Sequence, residues 1–268
     1  MLKAVGRDRE HQPGTGSPRT LGRLVDLPAS RESEAMTTTL ITGANKGLGF
    51  ETARRLIEAG HIVYIGSRDA ERGQRAAAEL GARSVLLDVT DDASVQAAAK
   101  RIDAEGGVDV LINNAGIDVE GNGALEVGEV TAEMMREVFD TNVFGVVRML
   151  HAFLPLLHRS AAPVVVNVSS SLASMTRSTT PGTNAFAYPG LSYPASKTAV
   201  NRLTVQYAKA LPQMRINAVE PGYTATDLNA HAGIQTVAQG AEIIVRMAQV
   251  APDGPTGGYY DSTGSLPW

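Results

Sequence analysis

From residue 36 onward the chain alternates between two hydrophobic periods. Short apolar, β-branched runs are separated by alanine-rich stretches whose apolar positions recur every three or four residues. "TTTLITG" at 37–43 reads as a strand, and "GLGFETARRLIEAG" at 47–60 as a helix stopped by Gly60. "HIVYIGS" at 61–67 is a second strand, and "DAERGQRAAAELG" at 69–81 a second helix ending on Gly81. "RSVLLDVT" at 83–90 is a third strand. The helix at 91–106 that follows carries aspartates in its first turn, where the helix dipole favours them. "VDVLINNAG" at 108–116 is a fourth strand, 131–159 one long helical stretch, and "APVVVNVSSS" at 162–171 a fifth strand. A helix at 193–211, a sixth strand at 214–222, a last helix at 236–250 and a short closing strand in "GGYYDST" complete the pattern.

Strands alternating with helices imply a parallel sheet covered on both faces, so the fold class is α/β. Right-handed crossovers narrow this to a doubly wound, Rossmann-type, mainly parallel sheet of about seven strands. Such sheets bind ligands beyond the carboxyl ends of their strands, near the switch in winding direction. The glycine turn after strand one, "DVT", "NNAG", "NVSS" and "EPG" each fall at such an end.

Composition adds boundaries. The chain has 268 residues, 43% hydrophobic and 19% charged, which suits one domain with a sizeable core, read here as residues 36–268. Residues 1–35 mix Pro, Gly, Ser and both charges without a hydrophobic period, and read as a disordered tail rather than a secretory or transit segment. A formal charge of −4 gives no reason to expect nucleic acid. No apolar run approaches the roughly 18–20 residues that span a bilayer, so no membrane partner is expected. With no cysteine, disulfides and thiolate chemistry are excluded, and a cytoplasmic location is expected. The five histidines show no ligand spacing, so no metal is expected.

The turn Thr42-Gly43-Ala44-Asn45-Lys46-Gly47-Leu48-Gly49 closes strand one and opens a helix. Glycines there let backbone N–H groups approach a pyrophosphate at the positive helix end, although such a turn also serves a fold without a ligand. The spacing is G-x-x-x-G-x-G rather than the usual G-x-G-x-x-G. At the end of strand two, "Gly66-Ser67-Arg68-Asp69" sets Ser67 where a carboxylate would grip the ribose of NAD. Arg68, with Lys46 as a second cation, suits a 2′-phosphate, so NADP is expected over NAD.

Taken together, the motifs resemble the short-chain dehydrogenase/reductase family over residues 37–268. The signatures are T-G-x-x-x-G-x-G at 42–49, Asn113-Asn114-Ala115-Gly116, Asn142 in "TNVFG", the serines of "NVSS", Tyr193-x-x-x-Lys197 and Pro221-Gly222. "TGANKGLG" and "PGYTATDLN" look most like the NADP-dependent carbonyl reductase branch. The resemblance implies that Asp88 and Val89 flank the adenine, and that Asn114, Ala115 and Gly116 line the cofactor channel. It implies that Pro221, Gly222, Thr224 and Thr226 meet the nicotinamide and diphosphate end. It also makes Ser170 the catalytic serine, with Ser171 the alternative, and gives Asn142 a water that relays protons to Lys197; a packing asparagine is the alternative there. Residues 171–192 are longer than in many members, and Leu172, Met175, Phe186 and Tyr188 are candidate walls of the site. In carbonyl reductases a longer insertion accompanies a monomer; this one is intermediate, so monomer and homo-oligomer both stand open.

Tyr193 and Lys197 sit one turn apart on one helix face, with Pro194 suited to the first turn. Reducing a carbonyl needs hydride on carbon and a proton on oxygen. A phenol near pKa 10 gives that proton more readily, and takes it back, when a cation stabilises its anion, and Lys197 is expected to lower the Tyr193 pKa in this way. By resemblance Lys197 also bonds the nicotinamide ribose. The expected activity is NADP-dependent interconversion of a small or medium organic carbonyl and its alcohol. A dinucleotide-sensing regulator without chemistry is the alternative, and a sugar-nucleotide epimerase relative is disfavoured by the short C-terminal part. Arg68→Asp is expected to weaken NADP on the order of tenfold to a hundredfold while leaving NAD little changed. Titration of both nucleotides checks this, and equal losses would remove Arg68 from the phosphate site.

Overall fold

Successive strand residues face opposite sides of the sheet, and that period of two divides the core into two layers. In the computed structural model, which describes residues 36–268, Leu40, Tyr64, Leu111, Val165 and Ile216 belong to one layer. Ile41, Ile65, Ile112, Val166 and Val219 belong to the other. The strands are β1 Thr38–Thr42, β2 Ile62–Ser67, β3 Arg83–Leu86, β4 Val110–Asn113, β5 Val164–Val168, β6 Arg215–Val219, β7 Tyr259–Asp261 and β8 Gly264–Ser265. The long helices are α1 Gly47–Glu58, α2 Ala70–Leu80, α3 Asp92–Ala104, α4 Ala132–Phe139, α5 Gly145–Leu157, α8 Ser192–Ala210 and α9 Val237–Ala248; α6 Met175–Ser178 and α7 Asn184–Ala187 are single turns. The first core layer takes apolar side chains from α3, α5 and α8, and the second takes them from α1, α2 and α9.

The eight strands run β3-β2-β1-β4-β5-β6-β7-β8, parallel except for the last pair. The winding direction switches between β1 and β4, as the alternating pattern predicts. The eighth strand is a two-residue return that no hydrophobic period could reveal. Three further boundaries differ from the sequence reading. β3 stops at Leu86 because the Asp88 carboxylate accepts from the Thr90 N–H (2.9 Å) and hydroxyl (2.7 Å), which turns the chain. The long helical stretch is broken by a π-helical turn at Asp140–Phe144. The insertion is folded into short helical turns, with the Ser174 hydroxyl capping α6 and the Thr183 hydroxyl capping α7. The disorder expected for residues 1–35 lies outside the described residues. Among the described residues, no helix is long and apolar enough to cross a membrane.

Polar groups tie the strand ends together at the switch. The Thr42 hydroxyl accepts from the N–H of Asn114 (3.0 Å) and of Ala115 (2.9 Å), and the Asn114 amide returns a bond to the Thr42 carbonyl (2.8 Å). Asn113 donates to its register partner Asn167 (2.8 Å), which donates in turn to the Thr204 hydroxyl (2.9 Å) on α8. Two glycines are required here. Gly43 has φ +64° and comes within 3.1 Å of the Ala115 Cα, measured from where its own Cβ would stand. A Cβ on Gly49 would meet Ala44 Cα and the Gly43 carbonyl, both at 2.8 Å. Gly49→Ala is therefore expected to lower the unfolding free energy by about 1–3 kcal/mol. Denaturant titration measures it, and an unchanged midpoint would contradict this close packing.

Candidate active site

The carboxyl ends of β1, β4, β5 and β6 open on one cavity of about 370 Å³. β5 delivers Ser169, Ser170 and Ser171 to its wall, and the first two turns of α8 deliver Tyr193 and Lys197. Lys197 is 4% exposed, and its ammonium donates to the Val168 carbonyl at 2.8 Å. Its Nζ stands 5.6 Å from the centre of the Tyr193 ring. Burial brings the Lys197 pKa down to about 8.

The Tyr193 phenol differs from the sequence expectation: its pKa is raised, not lowered. Burial penalises the phenolate most, the negative charge of Asp118 adds to that, the Ser170 hydroxyl beside the phenol opposes it, and Glu220 raises it further. The Lys197 ammonium, occupied by Val168, does not reverse this desolvation. Burial thus favours the neutral phenol.

Of the three serines, Ser169 donates its hydroxyl to Asn201 Oδ1 (2.6 Å) and is buried. The Ser171 N–H meets the Glu220 carboxylate. Ser170 is the serine whose hydroxyl stands beside the Tyr193 phenol. Its carbonyl accepts from the Tyr259 hydroxyl, whose ring stacks on Trp268 at 5.4 Å. Asn142 lies in the π-helical turn and is 1% exposed. Its amide is committed to Ile117, accepting from the N–H (2.8 Å) and donating to the carbonyl (3.0 Å), and it also donates to the Ser196 hydroxyl (3.0 Å). Gly116 lets it approach Lys197, since a Cβ there would stand 3.3 Å from Asn142 Oδ1 and 3.4 Å from Lys197 Nζ.

Leu48, Asn114 and Gly116 line one side of the cavity, and Pro221, Gly222, Thr224 and Thr226 another. The N-terminus of α1 is left without a side-chain cap, since Lys46 makes none. Its N–H groups, with Gly43, Asn45, Gly47 and Gly49 in the turn before and around them, form a cradle that a larger residue at Gly49 would fill. This arrangement fits a dinucleotide pyrophosphate.

Most of the remaining expectations do not line the cavity. Arg68 is exposed just beyond β2, while the neighbouring Asp69 carboxylate accepts the Arg72 N–H (3.0 Å) and caps α2. Lys46 forms an exposed ion pair with Asp227 (2.5 Å), so it is not a free second cation. One oxygen of the Asp88 carboxylate accepts from Thr90, and Val89 is 7% exposed and packed against Gly145. Leu172 and Tyr188 of the insertion line the cavity; Met175 and Phe186 are 58% and 52% exposed and do not. Sequence reasoning passed over Asp118, Glu120 and Glu220. Their signal was modest: acids two and four residues after "NNAG", and one directly before Pro221.

The profile of the short chain dehydrogenase family matches residues 37–236. The chain is 31% identical to a (+)-neomenthol dehydrogenase of Capsicum annuum, over 82% of this chain and 94% of that protein. It superimposes on the crystal structure of NADPH-bound carbonyl reductase from chicken fatty liver with a TM-score of 0.75 and 26% identity, over 87% of this chain and 99% of that one. It also superimposes on 3-ketoacyl-(acyl-carrier-protein) reductase from Brucella melitensis complexed with NADH, with a TM-score of 0.72 and 28% identity, over 84% and 96% of the two chains.

The buried ammonium has a measurable consequence. The Lys197 pKa lies below its ordinary 10.5, so between about pH 8 and 10.5 the unfolded chain binds more protons and stability rises with pH. Relative to Lys197→Met, the parent protein is expected to gain about 2 kcal/mol between about pH 8 and pH 10, at about 1.4 kcal/mol per pKa unit. Paired urea titrations across that window read the difference. A flat or falling difference would contradict a desolvated ammonium at this position.

Proposed function

The chain belongs to the short-chain dehydrogenase family and is an oxidoreductase of carbonyl and alcohol substrates, and from that premise we propose that it uses NADP and that Tyr193 is its general acid and base. The observation that carries this reading is the meeting of Ser170, Tyr193 and buried Lys197 in one cavity at the carboxyl edge of the sheet. When bound, the nicotinamide supplies hydride to the carbonyl carbon or takes it from the alcohol.

The protein's own groups handle the oxygen. The Ser170 hydroxyl donates a hydrogen bond to the carbonyl oxygen and polarises it. The Tyr193 phenol, kept protonated by burial and by the negative charges of Asp118 and Glu220, delivers its proton as negative charge grows on that oxygen. Lys197 then lies close to the phenolate left behind and stabilises it; in the oxidation direction the same phenolate takes the proton back. Asn142 holds the chain around Gly116 against Lys197, and a water on its side of the ammonium would complete a proton relay. The cradle of Gly43, Asn45, Gly47, Leu48 and Gly49 would hold the diphosphate, with Asn114, Ala115, Gly116, Pro221, Gly222, Thr224 and Thr226 along the rest of the nucleotide.

The choice of NADP is supported at the end of β2. Ser67 turns its hydroxyl to the Asp69 carbonyl (2.8 Å), Asp69 is spent on capping α2, and Arg68 stands exposed beside them. Ser67 thus stands where a carboxylate would grip a ribose 2′-hydroxyl, and an exposed guanidinium stands beside it for a phosphate. Tyr193→Phe is expected to keep NADPH affinity and to lose about 10²–10⁴-fold in kcat. NADPH oxidation over a panel of aldehydes and ketones measures this. Turnover preserved in the Phe protein would overturn the assignment.

A further inference from the structure

Glu120 lies in the loop between β4 and α4 and is 1% exposed. A carboxylate so buried needs hydrogen-bond donors. Its two oxygens accept the N–H of Leu191 (2.8 Å) and of Ser192 (2.5 Å). Those are the residues at which α8 begins, and Leu191 supplies no side-chain cap of its own. Glu120 therefore caps this helix from a distant part of the chain, satisfying N–H groups that would otherwise be orphaned and placing a negative charge at the positive helix end.

The loop that carries it is itself fastened. The Asp118 carboxylate accepts the Glu120 N–H (2.9 Å) and the Asn122 N–H (2.9 Å). One residue earlier, Ile117 is held through both its N–H and its carbonyl by Asn142. Gly190 leaves the space: a Cβ there would stand 3.1 Å from Glu120 Oε2. Hydrogen bonds thus fasten the loop at Ile117, Asp118 and Glu120 and tie it to the N–H groups of Leu191 and Ser192, directly before Tyr193.

We propose that Glu120 is a positioning residue for the reaction: it fixes the first turn of α8, and through it the direction of the Tyr193 phenol. This rests on Tyr193 being the proton donor. Glu120 does not line the cavity, so its loss is expected to act on kcat and to spare cofactor binding.

The test uses the full chain carrying Glu120→Gln and Glu120→Ala, with Tyr193→Phe measured beside them. NADPH titration counts competent sites, steady-state kinetics with a ketone gives kcat per site and both KM values, and hydrogen–deuterium exchange reports the first turn of α8. Gln keeps one acceptor oxygen, so about a tenfold loss in kcat is expected. Ala keeps none, and on the order of a hundredfold is expected, the scale set by misplacing a reacting group by about 1 Å. The NADPH dissociation constant should stay within about twofold, and amides at the start of α8 should exchange faster in both variants. If Ala fails to fold, Gln decides. Unchanged kcat per competent site, or unchanged exchange at the start of α8, overturns the inference. A merely structural role would reduce the number of competent sites and leave kcat per site alone. Full turnover in Tyr193→Phe would instead overturn the reading of the site, and this inference with it.

Discussion

Lys197 carries an ammonium group into a place where only 4% of the residue is exposed, and it keeps one identified hydrogen bond there, to the Val168 carbonyl at 2.8 Å. A buried charge persists only where polar partners and geometry compensate its lost hydration. That requirement binds α8 to the end of β5 and so fixes the distance between the serines on one element and the phenol on the other. It also underlies the chemistry proposed for Tyr193. An ammonium near a protonated phenol costs little while the phenol is neutral, and becomes strongly favourable once the proton has left. Stabilisation that grows with the developing charge is what accelerates a proton transfer.

The surrounding frame makes the same end of the sheet rigid. Thr42, Asn113, Asn114, Asn167 and Thr204 link β1, β4, β5 and α8 through hydrogen bonds between 2.8 and 3.0 Å. Buried polar networks of this kind strengthen one arrangement of the strand ends. Each of these residues serves the sheet, and the cavity inherits its shape from them. The "NNAG" segment is the clearest case: its second asparagine spends its amide on the Thr42 and Gly43 carbonyls while facing the cavity.

Much of this arrangement was legible before any coordinates. The six main strands follow from runs such as "HIVYIGS" and "APVVVNVSSS", because a fully buried parallel strand must be apolar on both faces. The placing of Tyr193 and Lys197 on one helix face follows from helical spacing, and the arrival of the "NVSS" serines at the same cavity from their place at the end of β5. What the sequence concealed depended on contacts between distant segments. The hydrogen bonds that turn Asp88 away from β3 and the packing of Val89 beneath Gly145 leave no periodic trace. The Lys46–Asp227 pair joins residues far apart in the chain, so the apparent second cation looked free. The raised phenol pKa has the same origin in contacts between distant segments. Helical spacing shows the ammonium, whereas the opposing acids Asp118 and Glu220 and the depth of burial belong to the tertiary fold.

The substrate oxygen is proposed to meet one hydroxyl and one phenol beside one buried ammonium. A crystal structure with NADPH and an unreactive substrate analogue tests it most directly. The analogue's oxygen is expected within hydrogen-bond distance of both Ser170 Oγ and the Tyr193 hydroxyl, with Lys197 still inside the cavity and no further from the phenol than one bridging water. An oxygen bound away from Tyr193, or Lys197 turned out toward solvent, would contradict it.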